Sequence, residues 1–223
     1  SALNGELNMA VSKVHRYTST AAVVSWDAAR CIHAAECVHT LPEVFNPKAK
    51  PWIQPDLADA RALETAVERC PSGALALHTP DGMPLMKAPA TNTGLLTPQG
   101  PLYVRGKITL MCGGEATQES RVALCRCGAS LNKPYCDNSH VKAGFADPGA
   151  LPATIPAEPG VDLHAPLTVT PTTNGPYQVA GPLTLHGSGG RTAFALTTYL
   201  CRCGASRNKP YCDGSHRTIG FAG

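Results

Sequence analysis

The sequence predicts an α+β protein, with one small α+β domain near the N-terminus followed by two β-rich domains that repeat one another. Three observations carry this reading. A sixteen-residue stretch, Cys125–His140 (CRCGASLNKPYCDNSH), recurs as Cys201–His216 (CRCGASRNKPYCDGSH) with two differences. Ahead of each copy the β-rich sequence also repeats, GPLYVRGKITL from Gly100 and GPYQVAGPLTL from Gly175, so the repeated unit is longer than its cysteine loop. The segment before Cys70 places Leu57, Ala60, Leu63 and Val67 at helical spacing behind a candidate N-cap, Asp56.

Each repeated loop presents three cysteines and one histidine as C-x-C-x8-C-x3-H, the ligand count of a metal site rather than of a disulfide framework. Residues i and i+2 of an extended segment point the same way, so Cys201 and Cys203 can share one metal. Cys212 and His216, four apart, share a face if Asp213 to Ser215 begin a helical turn, and suit a second metal beside the first. A two-iron cluster wants ligands paired two and two; a lone zinc needs all four at one tetrahedron. The same holds for Cys125, Cys127, Cys136 and His140, and a Cys3His zinc knob is the alternative for both.

These loops resemble the CDGSH iron–sulfur domain of the NEET family, whose signature C-x-C-x2-[ST]-x3-P-x-C-D-G-[ST]-H surrounds a [2Fe-2S] cluster. The second copy matches at Cys201, Cys203, Ser206, Pro210, Cys212, Asp213, Gly214, Ser215 and His216. The first matches at Cys125, Cys127, Ser130, Pro134, Cys136, Asp137, Ser139 and His140, with Asn138 where the family has Gly. Asn is the residue that best replaces Gly at a left-handed backbone position, so ligation is expected to survive. Single-domain members pair as homodimers with exchanged strands. The resemblance therefore implies that the two copies form an intramolecular pseudo-dimer, a monomer with approximate two-fold symmetry.

Residues 11–30 mix β-branched and aromatic residues and read as one or two strands. Cys31 and Cys37 lie in the loop that follows, and Cys70 continues the apolar face of the predicted helix. The stretch after Pro71 reads as a turn and a closing strand. The spacing C-x5-C, then C-P-x-G-A at Cys70, Pro71, Gly73 and Ala74, resembles a divergent single-cluster ferredoxin of the type found fused to CDGSH domains. Four-iron members carry another cysteine at the position of Ala34. Three thiolates suit a [3Fe-4S] cluster; a [4Fe-4S] cluster needs a fourth donor such as His33, Glu36 or water, and an empty site is the third alternative. Trp26 and Trp52 are expected to pack this small core.

This divides the chain into a ferredoxin-like domain (1–80), a Pro- and Gly-rich linker (81–99), a first CDGSH domain (100–145), a Pro-rich connector (146–170) and a second CDGSH domain (171–223). The 20 Pro and 21 Gly in 223 residues argue for several small domains. A net charge of +3 is too mild and scattered to argue for nucleic acid or an anionic membrane, and no apolar run reaches the length of a membrane span. The N-terminal residues lack a signal-peptide pattern, and nine of the ten cysteines fall into ligand spacings, which points to a reducing cytoplasm. Cys112 lies outside both repeats and reads as a buried thiol. His15, His39, His78, His164 and His186 have no ligand partners at recognisable spacing. Arg126, Arg202, Lys133 and Lys209 sit at matching places in the loops, either as solvated charges or as groups that offset cluster charge and offer a docking face.

No nucleophile with its base and no phosphate loop accompanies the metal sites, so the expected function is non-enzymatic: one-electron transfer with an unidentified redox partner. The alternative is cluster donation to an apo acceptor, or redox and pH sensing, with His140 or His216 as the labile ligand. A reductase component that depends on a partner is the minor enzymatic reading.

Overall fold

The computed structural model describes residues 14–223, so the N-terminal segment and the first residues of the stretch expected to hold strands lie outside the described part. The described chain forms two compact units, one ending at Lys87 and the other running from Ala88 to Gly223. It is β-rich with few helices. No helix among the described residues is long and apolar enough to cross a membrane.

The smaller unit is built on a three-stranded antiparallel sheet in the order β1 (Val14–Thr18), β2 (Val23–Asp27), β3 (Leu75–His78). Val24 of the central strand faces Leu77, and both are buried. Between β2 and β3 the chain forms two short helices, α1 (Glu36–Thr40) and α2 (Ala60–Glu68). The sequence-predicted helix starts later than Asp56: a 3-10 turn spans Pro55–Leu57, Ala58 is extended, and Asp59 is the N-cap, accepting from Ala62 N at 2.8 Å. The apolar face is accordingly shifted. Leu57 is exposed, while Leu63, Ala66, Val67 and Cys70, at i, i+3, i+4 and i+7, are buried. They pack with Val44, Phe45 and Ile53, and Trp52 meets Trp26 edge-on with ring centroids 5.0 Å apart.

In the larger unit the first repeat supplies β4 (Thr93–Leu96), β5 (Leu102–Cys112), β6 (Glu115–Leu124) and the short helix α3 (Ser139–Lys142). The second supplies β7 (Leu167–Pro171), β8 (Tyr177–His186), β9 (Thr192–Leu200) and α4 (Ser215–Thr218). The stretch read as a linker thus carries β4, and the connector ends in β7. Their sequences are short and lack sustained alternation because each strand depends on a partner from the other repeat. β4 pairs antiparallel with β5 and parallel with β8; β7 pairs antiparallel with β8 and parallel with β5. These four pairings close a ring, which leaves none of the four strands with a free edge. Inside the ring lie Leu96, Leu102, Ile108, Leu110, Leu167, Val179, Leu183 and Leu185.

β5 and β6 are joined by Gly113 and Gly114, both at positive φ (59° and 90°), the two-residue turn that matches strand twist. Each long hairpin is also interrupted at equivalent places, Arg105/Ile108 and Ala180/Leu183. The buried Asn92 fills the first interruption. Its Oδ1 accepts from Lys107 N at 2.9 Å and its Nδ2 donates to Ala165 O and Pro182 O, each at 2.9 Å, joining both repeats just before β4 begins. Asn92→Ala would strip partners from three backbone groups. It is expected to destabilise the larger unit by about 2–3 kcal/mol, read as a lower denaturant midpoint with an unchanged slope.

Candidate metal centres

The two hairpins deliver the cysteine loops to equivalent places. β6 ends at Leu124 and β9 at Leu200, and the next residue in each case is the first cysteine, buried at the foot of the core. Each loop then folds back on its own strand: Cys125 N donates to Pro134 O and Cys136 N to Ala123 O, as Cys201 N does to Pro210 O and Cys212 N to Tyr199 O. Ser130 and Ser206 brace the turns, donating to Tyr135 O at 2.6 Å and Tyr211 O at 2.7 Å. Asp137 accepts from Leu131 N (2.8 Å) and Ser139 N (3.0 Å), and Asp213 from Arg207 N (2.8 Å) and Ser215 N (2.9 Å). Burial would raise the Asp137 carboxyl, but these hydrogen bonds outweigh it and hold the group below its usual value; those to Ser215 and Arg207 depress Asp213 likewise. Asn138 (φ 68°) and Gly214 (φ 87°) both adopt the left-handed conformation before α3 and α4, which is why Asn substitutes for Gly in the first loop.

These scaffolds bring the eight predicted ligands together as four close pairs. Cys125 Sγ lies 3.6 Å from Cys127 Sγ, and Cys201 Sγ 3.8 Å from Cys203 Sγ. Nδ1 of His140 is 3.4 Å from Cys136 Sγ, and Nδ1 of His216 is 3.3 Å from Cys212 Sγ. A tetrahedral metal holding sulfur and imidazole at ordinary bond lengths separates two sulfurs by about 3.8 Å and a sulfur from a nitrogen by about 3.5 Å. Each pair fits one metal, with Nδ1 as the donor atom of the histidine. Among the described residues no group of three or more His, Cys, Asp or Glu converges as the ligands of a single ion would. Two ligands per metal is the arrangement a two-metal cluster takes, whereas a lone zinc takes four at one tetrahedron.

The thiol chemistry agrees. Burial pushes Cys136 up to about 11 and raises Cys201, so a bare thiolate is disfavoured there until a cation compensates it. Cys125 is raised by its hydrogen bond to Cys127 and by burial; Cys127, which receives that bond and one from Ala129 N, is lowered. Backbone N–H groups of Asn138 and Gly214 also point at Cys136 and Cys212 Sγ, each at 3.4 Å. Burial holds the His140 ring below the ordinary imidazole value.

The two loops touch. Cys127 and Cys203 pair across a two-residue antiparallel bridge. A Cβ on Gly128 would lie 2.6 Å from Cys203 O, and one on Gly204 the same distance from Cys127 O, with both glycines at positive φ (78° and 81°). In the smaller unit, Cys31, Cys37 and Cys70 line a single cavity of about 560 Å³, together with His33, Glu36 and Trp52. The loop that supplies the first two turns through left-handed His33 (φ 52°) and Ala35 (φ 60°). Burial and then the neighbouring Cys70 push Cys37 up to about 11, the mark of thiols gathered at one site.

Comparison with known proteins follows this division. The family model described as an iron-binding zinc finger of CDGSH type matches residues 99–141 and again 174–217. That of a divergent 4Fe-4S mono-cluster matches residues 17–80. The uncharacterized protein YjdI of Escherichia coli strain K12 is 41% identical over 59 residues, which span 26% of this chain and 78% of YjdI; YjdI of E. coli O157:H7 matches to the same extent. The chain contains CDGSH-type iron-binding domains. It carries a divergent mono-cluster domain followed by two CDGSH domains, and it is an iron–sulfur protein. No solved structure matches it.

Several residues around the CDGSH sites escape a reading of the motif alone. Arg126 and Arg202 are buried, not solvated: Arg126 donates to Gly100 O, Thr97 O and the Asp147 carboxylate, and Arg202 to Gly175 O, Thr172 O and Gly223 O. They tie the ligand loops to the turn ahead of each hairpin and so offer no docking face. Lys133 and Lys209 are half-buried, donate to Ser130 O and Ser206 O, and lie over Phe221 and Phe145 of the opposite repeat. Tyr177 is fully buried, and its hydroxyl sits 2.9 Å from both Cys125 O and Pro134 O, a bracket from the second repeat onto the first loop. Nothing marked it in the sequence, where the repeat alignment sets it opposite Leu102. Cys112 is half-buried against the core, with its thiol raised by burial. Gly128→Ala is expected to lower iron retention at both CDGSH sites, because its Cβ strikes the other loop. Iron assay with visible spectra of the purified variant checks this; loss confined to the first site would show that the loops are independent.

Proposed function

We propose that the chain is a one-electron carrier holding a [2Fe-2S] cluster on Cys125, Cys127, Cys136 and His140, a second on Cys201, Cys203, Cys212 and His216, and a ferredoxin-type cluster on Cys31, Cys37 and Cys70. The observation that carries this reading is the two-and-two spacing of the CDGSH ligands, joined loop to loop at Cys127 and Cys203. A [2Fe-2S] centre exchanges one electron, and replacing one thiolate by neutral imidazole removes a negative charge that opposes reduction. The exchanged pairing of β4 and β7 supports an intramolecular pseudo-dimer that keeps the two centres at fixed separation. In the ferredoxin-like domain three thiolates suit [3Fe-4S]. The family's four-iron description is met if His33 or Glu36, both lining the cavity, supplies the fourth donor. All ten cysteines are unbridged, in keeping with a reducing cytoplasm. On this reading the chain acts through an electron-transfer partner rather than on a substrate of its own.

One observation favours the second reading, cluster donation to an apo acceptor. His140 and His216 are half-exposed, so the ligand whose protonation would release a cluster lies open to solvent. Repeated reduction and reoxidation without loss of iron and sulfide supports the carrier; transfer of both to an apo-ferredoxin supports the donor. For either, His216→Cys is expected to lower the second centre's midpoint potential by on the order of 100 mV, checked by a redox titration followed optically.

A further inference from the structure

The two CDGSH loops form an internal comparison, since they share a scaffold and differ in few places. From Cys125 to Phe145 and Cys201 to Phe221 the differing pairs are Leu131/Arg207, Asn138/Gly214, Val141/Arg217, Lys142/Thr218 and Ala143/Ile219. Asn138 and Gly214 are accounted for by backbone conformation. The remaining differences lie at exposed positions around the histidine ligand. In the first loop Leu131 and Val141 are 89% and 75% exposed, and Lys142 is the added cation; in the second, arginines replace both apolar residues and Thr218 replaces the lysine.

The placement of the arginines is set by Asp213. Its carboxylate accepts from Arg207 N on one side and Ser215 N on the other, so Arg207 and the helix bearing Arg217 flank one turn beside His216. Neither guanidinium makes a hydrogen bond or ion pair among the described residues. The only acidic group in this turn is Asp213, whose carboxylate is occupied by backbone donors. Beside it runs an open groove of about 820 Å³ lined by Thr172, Asn174, Tyr199, Cys212, His216 and Arg217, which brings a partner to two ligands of the second centre.

We infer that the second CDGSH centre is the docking site for an acidic redox protein, whose carboxylates pair with Arg207 and Arg217 while its own redox group approaches His216. The inference rests on the electron-transfer reading above. Cys201, Cys203, Cys212 and His216 would hold a cluster able to give up one electron, and the partner's one-electron acceptor would be reduced by that same electron. Exposed cations flanking an exit ligand raise the encounter rate with an anionic partner, an effect that salt screens.

The test is anaerobic stopped-flow oxidation of the dithionite-reduced full chain by an acidic blue-copper protein and by a basic c-type cytochrome, in which copper(II) or ferric haem takes the electron. The expected result is that the second-order rate with the acidic protein falls about tenfold or more between low and physiological ionic strength. R207E/R217E should lose about the same factor at low salt with unchanged iron content and spectrum, and should gain rate with the basic cytochrome. K142E, on the first loop, should leave the acidic protein's rate within about twofold. Equal effects of K142E and R207E/R217E, or none from either, would overturn the assignment while leaving electron transfer intact. A reduced chain that passes electrons to neither acceptor would remove the electron-transfer reading and this inference with it. RNA binding lost in R207E/R217E with unaltered oxidation rates would assign the arginines to nucleic acid instead.

Discussion

Cys127 and Cys203 meet backbone to backbone, and the approach is possible because the next residue in each loop is a glycine whose missing Cβ leaves room for the opposite carbonyl. Much of the larger unit serves that contact. For the loops to meet, the two hairpins must emerge from a shared core, which is why β4 and β7 each pair across repeats and close the ring. The interruptions in the hairpins at Gly106 and Gly181 admit the segments that lead into those exchanged strands. A Cβ on Gly106 would strike Asn92, and one on Gly181 would strike Pro166 O.

Around this contact the polar groups fall into an inner and an outer set. The inner set is buried and committed to structure: Arg126, Arg202 and Tyr177 spend their donors on backbone carbonyls of the loops and of the turns ahead of the hairpins. Phe145 and Phe221 cover the arginine of their own repeat and the lysine of the other, so each loop is also clamped by its counterpart. The outer set is the histidines and the exposed residues beside them, where the two repeats diverge. Symmetry is kept where the clusters are held and relaxed where they face solvent. In the second repeat Gly223 O takes the place that the Asp147 carboxylate holds in the first.

The ligand loops were legible in the sequence because ligation restricts residue type and spacing together: a cysteine two residues from another, or four from a histidine, has few other uses. Asn138 was legible for a similar reason, since few residues accept φ 68°. The closed ring was not. β4 is four residues of TGLL whose partner β8 lies some ninety positions away, and no local pattern encodes a pairing that the other repeat completes. The helix before Cys70 was visible but out of phase, because Pro55 and the extended Ala58 delay its start to Asp59. Arg126 and Arg202 looked like surface charges; only the return of the chain at Thr97–Gly100 and Thr172–Gly175 shows that they are enclosed.

The most direct measurement is iron, zinc and acid-labile sulfide content of anaerobically purified protein, with an electron paramagnetic resonance spectrum of the same sample. The account predicts about seven irons and about eight acid-labile sulfides per chain, negligible zinc, and a signal already present in the oxidised state from the three-iron centre. Zinc bound at the CDGSH loops without labile sulfide would contradict it, since the paired ligand geometry would then be holding single ions rather than clusters.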